Sequence, residues 1–544
     1  MARRVSVVHR LCLAVLCLVG GLCPATLSAA EALPDAEAAK LARQVFEAAG
    51  FRGGLVVHVG CGDGRLTAAL RAGAGYLVHG LDADLAKVEK ARQYLRSLGV
   101  YGGVAVEHWS GPRLPFVDNL VNLVVLSGPS SVDRSELLRV LCPGGAALTL
   151  NANHPPQTGD VLVKPRPADI DEWTHFLHSA SNNAVAADSV VGPPRQLQWV
   201  AGPRWARSHD HLASVSALVC AGGRLFSIVD EGPIAAVALK PTWRLVARDA
   251  FSGVVLWQRP IESWPWHLRG FRSGPSDLAR RLVAVGDRVY VTLGLAAPLS
   301  ALEAATGRTV RTYEGTGGTL EVICHEGVLL VVAGDPAAME AAAKAQRRGE
   351  RPGLVEARPQ RPPYPENPPA KRILAIQADT GRLLWSKADA ETAELMPTTL
   401  AAGGGRVFFQ NADAVVCLDG ATGAVKWRAA RPVSRHRPTW SAPTLVVYGD
   451  VVLSADRAVA ATVAEAAKPN APALPKVEWL VTSAGGQSPP GELIAFSADD
   501  GQRLWSCGCR ECYNAPVDVL VADGLVWTGD IVTAKDPGVT EGRD

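Results

Sequence analysis

Two kinds of hydrophobic pattern divide the chain. Between residues 36 and 152, apolar runs with strand spacing alternate with amphipathic stretches of helical spacing. Residues 55–70 (LVVHVGCGDGRLTAAL) predict a strand, a glycine-rich turn and a helix. Residues 119–128 (NLVNLVVLSG) are almost wholly apolar, as in the buried strands of a parallel sheet. This alternation predicts a doubly wound, Rossmann-like α/β domain.

The pattern changes at about residue 180, where helical spacing nearly disappears and short strands with Gly and Asp turns take over. A unit of strand, turn ending in Gly, and strand usually ending in Trp occurs five times, at 245–259, 299–315, 373–387, 415–429 and 493–507. A hairpin strand precedes each unit, and a sixth such strand occupies 519–530. Pairs of hairpins form four-stranded blades, so the repeats predict an all-β propeller.

Two residue types recur within the units for different physical reasons. The turn requires a residue that tolerates positive φ, and the flat indole ring can fill the wedge between successive blades. The repeated Trp explains why 14 Trp outnumber 10 Phe. The turn glycines are Gly253, Gly307, Gly381, Gly423 and Gly501, and the tryptophans are Trp257, Trp385, Trp427 and Trp505, with Val310 in the second unit.

These patterns give an expected multidomain organisation. Residues 1–30 are a predicted signal peptide, 36–152 the α/β domain, 153–214 a His- and Trp-rich junction, and 215–544 the propeller, with insertions at 336–372 and 457–476. Five units and one opened strand are fewer than the seven or eight blades usual for such propellers. We therefore expect an incomplete ring, from a truncated chain or one completed by a partner, with an exposed sheet edge.

The N-terminus has the pattern of a targeting segment. Arg3, Arg4 and Arg10 flank or precede the apolar stretch 11–22, and small residues follow as far as Ala30. This predicts a Sec-type signal peptide and a periplasmic or extracellular location, with an uncleaved anchor as the alternative. No other segment has the composition of a membrane span. The net charge of +2, without long runs of one sign, gives no indication of a nucleic-acid partner.

The first chemical motif lies in the α/β domain. Gly60, Gly62 and Gly64 separate a strand from a helix, and Asp82 ends the next strand. Glycines let the backbone approach a cofactor, and an acid at this place can hold ribose hydroxyls. With LPF at 114–116 and LLRVLCPGG at 137–145, the stretch resembles a class I S-adenosylmethionine-dependent methyltransferase. The resemblance implies that the three glycines line the cofactor, that Asp82 binds its ribose, and that Asp63 faces its methionine end.

Three departures from this resemblance leave the activity open. Asn122 stands where methyltransferases commonly have Asp, and no pattern for the last two strands of the family sheet follows 146–151. The predicted export also places the domain where S-adenosylmethionine is not expected. The alternatives are a structural or binding remnant, a cofactor-binding domain without turnover, and an active methyltransferase.

The repeats resemble those of PQQ-like, quinoprotein-type propellers. That resemblance implies either a dehydrogenase with PQQ and Ca²⁺ on the channel axis or a cofactor-free scaffold, such as the lipoprotein that assists outer-membrane protein assembly. The sequence has no recognisable set of Ca²⁺ ligands and no catalytic Asp of that kind. This favours a scaffold that binds a protein or a small molecule, with PQQ-dependent oxidation as the alternative.

Two further clusters could bind metal. The junction carries His175, His209, Asp210 and His211, and His-rich clusters with nearby acids can hold a metal ion. The alternative is that the junction closes the propeller and packs its central channel. Near the C-terminus, Cys507, Cys509 and Cys512 favour a local disulfide over a metal site.

Overall fold

The computed structural model describes residues 35–128, 130–150, 155–192, 197–202, 215–233, 241–262, 278–347, 370–433, 442–457, 490–510 and 517–528. The predicted signal peptide and His209, Asp210, His211 and Cys512 lie outside these ranges. The described part has an α/β domain followed by antiparallel sheets, which confirms the predicted fold class. None of its helices combines the length and apolar character needed to cross a bilayer.

The α/β domain is a sheet with helices on both faces. Its strands follow the order β3-β2-β1-β4-β5-β6, and all are parallel except β6, which is antiparallel to β5. The elements are α1 (Ala36–Ala49), β1 (Gly54–Val59), α2 (Arg65–Ala69), β2 (Tyr76–Asp82), α3 (Leu85–Ser97), β3 (Val104–His108), β4 (Val121–Ser127), α4 (Arg134–Val140), β5 (Leu141–Leu150) and β6 (Val161–Val163).

The sixth strand corrects one expectation from the sequence. The last two strands of the family sheet were expected to be missing, but one further strand, β6, pairs with β5 through Ala146, Ala147 and Leu148. It escaped detection because three residues (VLV) are too short to show an alternating pattern.

Local sequence explains how the helices of this domain begin and what they bury. Asp35, Asp84 and Asp133 each accept a hydrogen bond from backbone N–H groups in the first turn of α1, α3 and α4. The apolar sides of α1 and α3 cover one face of the sheet, and the apolar side of α4 covers the other. The central strand β1 is buried along its whole length. Its carboxyl end is therefore a rigid support for the glycine-rich turn.

Five four-stranded antiparallel sheets follow, and we number them blades 1 to 5. A two-stranded hairpin after them is called blade 6. This confirms the five units and the opened sixth blade expected from the sequence. The strands are β7 (Val215–Ala221), β8 (Arg224–Asp230), β9 (Trp243–Asp249) and β10 (Val255–Pro260) in blade 1; β11 (Leu282–Val285), β12 (Arg288–Thr292), β13 (Leu299–Glu303) and β14 (Thr309–Thr312) in blade 2; β15 (Thr319–His325), β16 (Val328–Ala333), β17 (Arg372–Gln377) and β18 (Leu383–Lys387) in blade 3; β19 (Ala401–Gly403), β20 (Arg406–Gln410), β21 (Ala414–Asp419) and β22 (Val425–Ala430) in blade 4; β23 (Thr444–Tyr448), β24 (Val451–Arg457), β25 (Pro490–Ser497) and β26 (Arg503–Arg510) in blade 5; and β27 (Val519–Ala522) and β28 (Leu525–Thr528) in blade 6.

Two helices interrupt this series of strands. The first, α5 (Pro336–Arg347), lies between β16 and β17, at the start of the insertion predicted at 336–372. The second, α6 (Ala390–Ala393), is a single turn that begins at Asp389 and precedes blade 4.

The tryptophans join successive blades as predicted. The indole N–H of Trp427 in blade 4 donates to the carbonyl oxygen of Ala498 in blade 5 at 2.9 Å. Its ring covers Gly501, where a Cβ would lie 2.6 Å from a ring carbon. Equivalent pairs are Trp257 with Gly307 and Trp385 with Gly423. Two features therefore require glycine at this position: the positive φ of the backbone and the indole ring packed against it.

Two contacts between neighbouring elements of the propeller differ from this pairing of a blade Trp with a Gly of the next blade. Where Val310 replaces Trp, the hydroxyl of Tyr313 donates to the Ala378 carbonyl oxygen at 2.6 Å, and Arg311 covers Gly381. On the other side of blade 1, Trp199 of the junction covers Gly253 and donates to the Ala250 carbonyl oxygen at 3.0 Å. The junction thus supplies blade 1 with the tryptophan that a preceding blade would otherwise provide.

The junction also runs through the centre of the propeller. The first strands of successive blades contact one another, so they line its axis. Each donates one backbone N–H to residues 173–183, which we call the hub. Cys220 donates to the carbonyl oxygen of Trp173, Ala284 to that of Thr174, and Cys324 to Nε2 of His175. Ala402 donates to the carbonyl oxygen of Ala180, Val447 to that of Ser181, and Val521 to Oδ1 of Asn183. This confirms that the junction packs the central channel.

A buried polar network fixes the second half of the hub. The amide nitrogen of Asn182 donates to the carbonyl oxygens of Leu400 and Leu445 at 3.0 Å each. Its amide oxygen accepts a hydrogen bond from Arg280 at 2.9 Å, and Arg280 is paired with Glu321 at 2.7 Å. Asn182 therefore links blades 2, 4 and 5, and Glu321 of blade 3 neutralises the charge of Arg280.

Candidate cofactor-binding site

The glycine-rich turn connects β1 to α2 at the carboxyl edge of the sheet. Gly60, Gly62 and Gly64 have φ of 77°, 57° and 85°. Gly60 lies against the Ser127 backbone carbonyl, and Gly64 lies against Ala91 of α3, so a Cβ at either position would collide with protein. A Cβ on Gly62 would meet nothing within 4 Å. The turn is thus tightly packed on both sides and open in the middle, where a ligand could approach its backbone.

Asp82 holds this turn in place from the end of β2. The Gly62 N–H donates to its Oδ2 at 2.9 Å, and the Asp84 N–H donates to its Oδ1 at 3.0 Å. Only 7% of Asp82 is exposed. Each carboxylate oxygen has a second lone pair that can accept another hydrogen bond. The side chain can therefore clamp the turn and still receive a ribose hydroxyl.

Asp63 has a different environment from the other predicted site residues. Its carboxylate pairs with Nε of Arg65 at 3.3 Å and also accepts the Arg65 backbone N–H. Arg65 in turn pairs with Asp35 at 2.6 Å. Asp63 is thus part of a surface ion-pair chain, and its assignment to the methionine end of a cofactor stays a prediction.

His58 is a residue of this site that the sequence reasoning did not select. It lies in β1 directly below the turn and is 2% exposed. Its Nδ1 is 2.8 Å from the Thr67 hydroxyl in α2, and its Nε2 is 2.8 Å from the Ser127 hydroxyl at the end of β4. Burial lowers the pKa of His58 to about 4, so the ring is neutral. A single His inside the apolar run LVVHV was the signal that could have identified it.

Asn122, which replaces the Asp common in methyltransferases, lies at the opposite, amino edge of the sheet. Its position changes how this replacement is interpreted. Its Oδ1 accepts the Leu55 N–H at 2.8 Å, and its Nδ2 donates to Oδ2 of Asp249 in blade 1 at 2.8 Å. An aspartate here would place two carboxylates against each other. Asn122 therefore reflects docking of the α/β domain on the propeller and does not alter the turn that carries the candidate site.

His175 is the one described residue of the predicted metal site. It is buried, its Nε2 accepts the Cys324 N–H at 3.0 Å, and its Nδ1 is 2.7 Å from the Thr174 hydroxyl. Both ring nitrogens are thus occupied, Nε2 by blade 3 and Nδ1 by the hub itself. Burial lowers the pKa of His175 to about 3. A metal role for His209, Asp210 and His211 stays a prediction that concerns residues outside the described ranges.

The described residues contain no group of three His, Cys, Asp or Glu side chains that could hold a metal ion. Among the C-terminal cysteines, Cys507 and Cys509 both lie on β26, and Cys507 is a free thiol. The predicted local disulfide therefore does not join these two, and a pairing that involves Cys512 stays a prediction.

Two family profiles match parts of the chain. Residues 56–145 match the profile described as "Methyltransferase domain". Residues 369–540 match the profile of the PQQ-like repeat family described as "Outer membrane protein assembly factor BamB". The chain carries a methyltransferase-like domain and a PQQ-like repeat domain.

Curated relatives match the first of these domains. The ubiquinone/menaquinone biosynthesis C-methyltransferases UbiE of Citrobacter koseri and Salmonella paratyphi B are each 28% identical over 146 residues, which cover 25% of this chain. The chain spans about half (56%) of the length of these relatives.

Solved structures that match about a fifth of this chain include methyltransferases. A putative S-adenosylmethionine-dependent methyltransferase from Methanococcus maripaludis is 21% identical with a TM-score of 0.20, covering 21% of this chain and 55% of that one. Geranyl diphosphate C-methyltransferase from Streptomyces coelicolor, in complex with S-adenosyl-L-homocysteine, is 24% identical with a TM-score of 0.20, covering 21% and 45%. At these TM-scores the likeness adds nothing to the argument about function.

Proposed function

We propose that the α/β domain binds S-adenosylmethionine at the glycine-rich turn and that the propeller is a binding scaffold of an exported protein. The observation that carries the first part is the open space in front of Gly62, in a turn that Asp82 clamps from the next strand. In this proposal Gly60, Gly62 and Gly64 line the cofactor, and Asp82 accepts a ribose hydroxyl. Asp63 would face the methionine end of the cofactor.

Methyl transfer is the second candidate for this domain, and the similarity to C-methyltransferases supports it. Bound S-adenosylmethionine would supply an activated methyl group. The protein would contribute orientation, since His58 holds α2 and β4 together beneath the turn and keeps its backbone N–H groups in a fixed direction. An acceptor substrate would have to enter along the same carboxyl edge of the sheet.

The packing of the hub along the propeller axis favours a binding scaffold over a quinoprotein dehydrogenase. PQQ with calcium on the axis would have to occupy space that residues 173–183 fill. The first strand of every blade donates a backbone N–H to this segment. Displacing the hub would leave six buried or half-buried donors without partners, each at a cost of about 1–3 kcal/mol. The axis is thus built as a packed core, and the outer faces of the blades remain for a partner protein.

Export rests on the N-terminal sequence and on the repeat family. The basic and apolar pattern of residues 1–30 and the match to an outer-membrane assembly factor both favour the cell envelope. Expression of the full chain in a Gram-negative host, followed by fractionation, tests this directly. We expect a shortened protein in the periplasm, and a full-length protein in the cytoplasm would contradict export.

Calorimetric titration of S-adenosylmethionine into the full-length protein tests the cofactor site. Gly62→Ala places a methyl group in the open space before the turn, and we expect the Kd to rise about tenfold or more, equivalent to about 1.4 kcal/mol. Gly99→Ala is the matched control, because Gly99 also has positive φ (73°) and open space but lies beyond α3.

The two variants separate a ligand effect from a folding effect. Both carry a similar backbone penalty, so circular dichroism should show the same modest loss of stability in each. A folded wild-type protein that gives no heat with S-adenosylmethionine would sink the cofactor proposal. Equal Kd values for the wild type and Gly62→Ala would move the site away from this turn.

A further inference from the structure

A cavity of about 560 Å³ opens beside the hub, between the hub and blades 3 to 5. The hub contributes His178, Ser179 and Ser181, blade 3 contributes His325, and blade 5 contributes Tyr448. The described lining includes no Asp, Glu, Lys or Arg. A cavity of this size with hydroxyl, imidazole and phenol groups and no fixed charge is suited to a neutral ligand with many hydrogen-bonding groups.

His178 is held in position by groups on the hub side. Its Nε2 is 2.8 Å from Oδ2 of Asp171, whose carboxylate is itself fixed by the Ala187 and Glu172 backbone N–H groups. The edge of the Trp173 ring system packs on the imidazole with centroids 5.3 Å apart. Because Nε2 bonds to this carboxylate, Nδ1 is the ring nitrogen left for another partner. Among the described residues, no hydrogen bond to Nδ1 is found.

The backbone of His178 is in an uncommon conformation that suits this arrangement. Its φ is 67°, in the left-handed region that non-glycine residues seldom adopt. The Thr174 and His175 N–H groups both donate to the His178 carbonyl oxygen, which closes a tight turn. Strained residues held by well-defined surroundings are concentrated at ligand sites. The turn carries the imidazole to a place where one ring nitrogen faces Asp171 and the other is left for a ligand.

Tyr448 provides a surface of a different kind. It ends β23, is 47% exposed, and lies among the glycine-rich turns 403–404 and 449. A tyrosine ring offers a flat apolar face together with a hydroxyl group at its edge. The C–H face of a pyranose ring matches such a surface, while its hydroxyls seek donors and acceptors around the edge.

We propose that this cavity is a saccharide-binding site of the propeller, in which Tyr448 stacks on a sugar ring and the His178 Nδ1 and Ser179 hydroxyl bond to sugar hydroxyls. The site is separate from the glycine-rich turn, so it neither needs nor affects S-adenosylmethionine binding. The uncharged lining selects neutral sugars over phosphorylated or carboxylated ones, because a buried charge without a partner is costly.

Saturation-transfer difference NMR on the full-length protein with cellotriose, maltotriose and N,N′,N″-triacetylchitotriose, each at millimolar concentration, tests this proposal. We expect transfer to at least one of the three. Tyr448→Leu and His178→Asn should each raise the Kd of the sugar that binds about tenfold. Asn is used because it tolerates positive φ, so the turn is retained.

Tyr101→Leu is the matched control, because Tyr101 is similarly exposed (43%) but lies in the α/β domain. Its Kd should equal that of the wild type. Two outcomes overturn the proposal: no transfer to any of the three sugars, or equal Kd values for the wild type, Tyr448→Leu and His178→Asn. Calorimetry with S-adenosylmethionine on the same samples reports independently on the other site.

Discussion

The contact between Trp427 and Gly501 allows a quantitative test of how the blades are held together. Gly501→Ala adds one methyl group at a backbone position with φ of 76°. That Cβ would lie 2.6 Å from a carbon of the Trp427 ring, well inside van der Waals contact. The ring cannot easily retreat, because it is 8% exposed and its N–H is bonded to the Ala498 carbonyl oxygen.

Two terms contribute to the expected loss of stability. An alanine in the left-handed region costs about 1–2 kcal/mol, and overpacking a closed site costs about 1–3 kcal/mol more. Gly405→Ala isolates the first term, because Gly405 has φ of 71° and open space around its missing Cβ. Gly501→Ala should therefore be less stable than Gly405→Ala by about 1–3 kcal/mol.

Urea denaturation followed by circular dichroism measures this difference through the shift in midpoint. A second background sharpens the test. In Trp427→Leu the ring is gone, so adding Gly501→Ala should cost only as much as Gly405→Ala does in the wild type. If the two glycine substitutions cost the same in the wild type, the ring does not lock the blades and our account of the joint is wrong.

Two further predictions concern the α/β domain and the hub. Asn122→Asp sets a second carboxylate against Asp249 and should lower the unfolding free energy by about 1–3 kcal/mol. Asn119→Asp is the control and should not lower it, because the Asn119 side chain faces the Lys164 ammonium at 2.6 Å. The shifts in thermal midpoint of the two variants are compared. Because burial lowers the pKa of His58 to about 4 and that of His175 to about 3, the unfolded chain takes up protons below about pH 6.5 that the folded chain does not. Stability should fall by about 2 kcal/mol per histidine between pH 7 and pH 5, and an unchanged slope in His58→Gln would contradict this.

The sequence predicts those features that depend on residues close together in the chain. The glycine-rich turn, the five repeat units and the Trp–Gly pairing all leave a local pattern. Tyr313 illustrates the limit, because it takes over the bond that Trp makes elsewhere, yet nothing near Val310 indicates a substitute. The partner of Tyr313, Ala378, is 65 residues away, and such pairings are decided by the packing of blades.

The candidate site was likewise predicted in part. The three glycines and Asp82 follow from a short motif, and the structure places them together at one edge of the sheet. The bond that Asn122 makes could not be predicted, because its partner Asp249 lies in another domain. His178 shows the same limit, since a sequence does not reveal that a histidine adopts positive φ and turns one ring nitrogen away from its own acid.

The hub has a consequence for the way the chain acquires its structure. It precedes every blade in the sequence, and it binds them in the order in which they are synthesised. The separation grows from 47 residues, between Trp173 and Cys220, to 338 residues, between Asn183 and Val521. Loop-closure entropy rises only logarithmically, so the last contact costs about 1.7 kcal/mol more than the first. Blades 1 to 5 lie between Asn183 and Val521 in the sequence, so each of them emerges after its hub acceptor. Each newly emerged blade therefore finds its acceptor already present. We therefore expect the propeller to assemble vectorially on a template that was made before it.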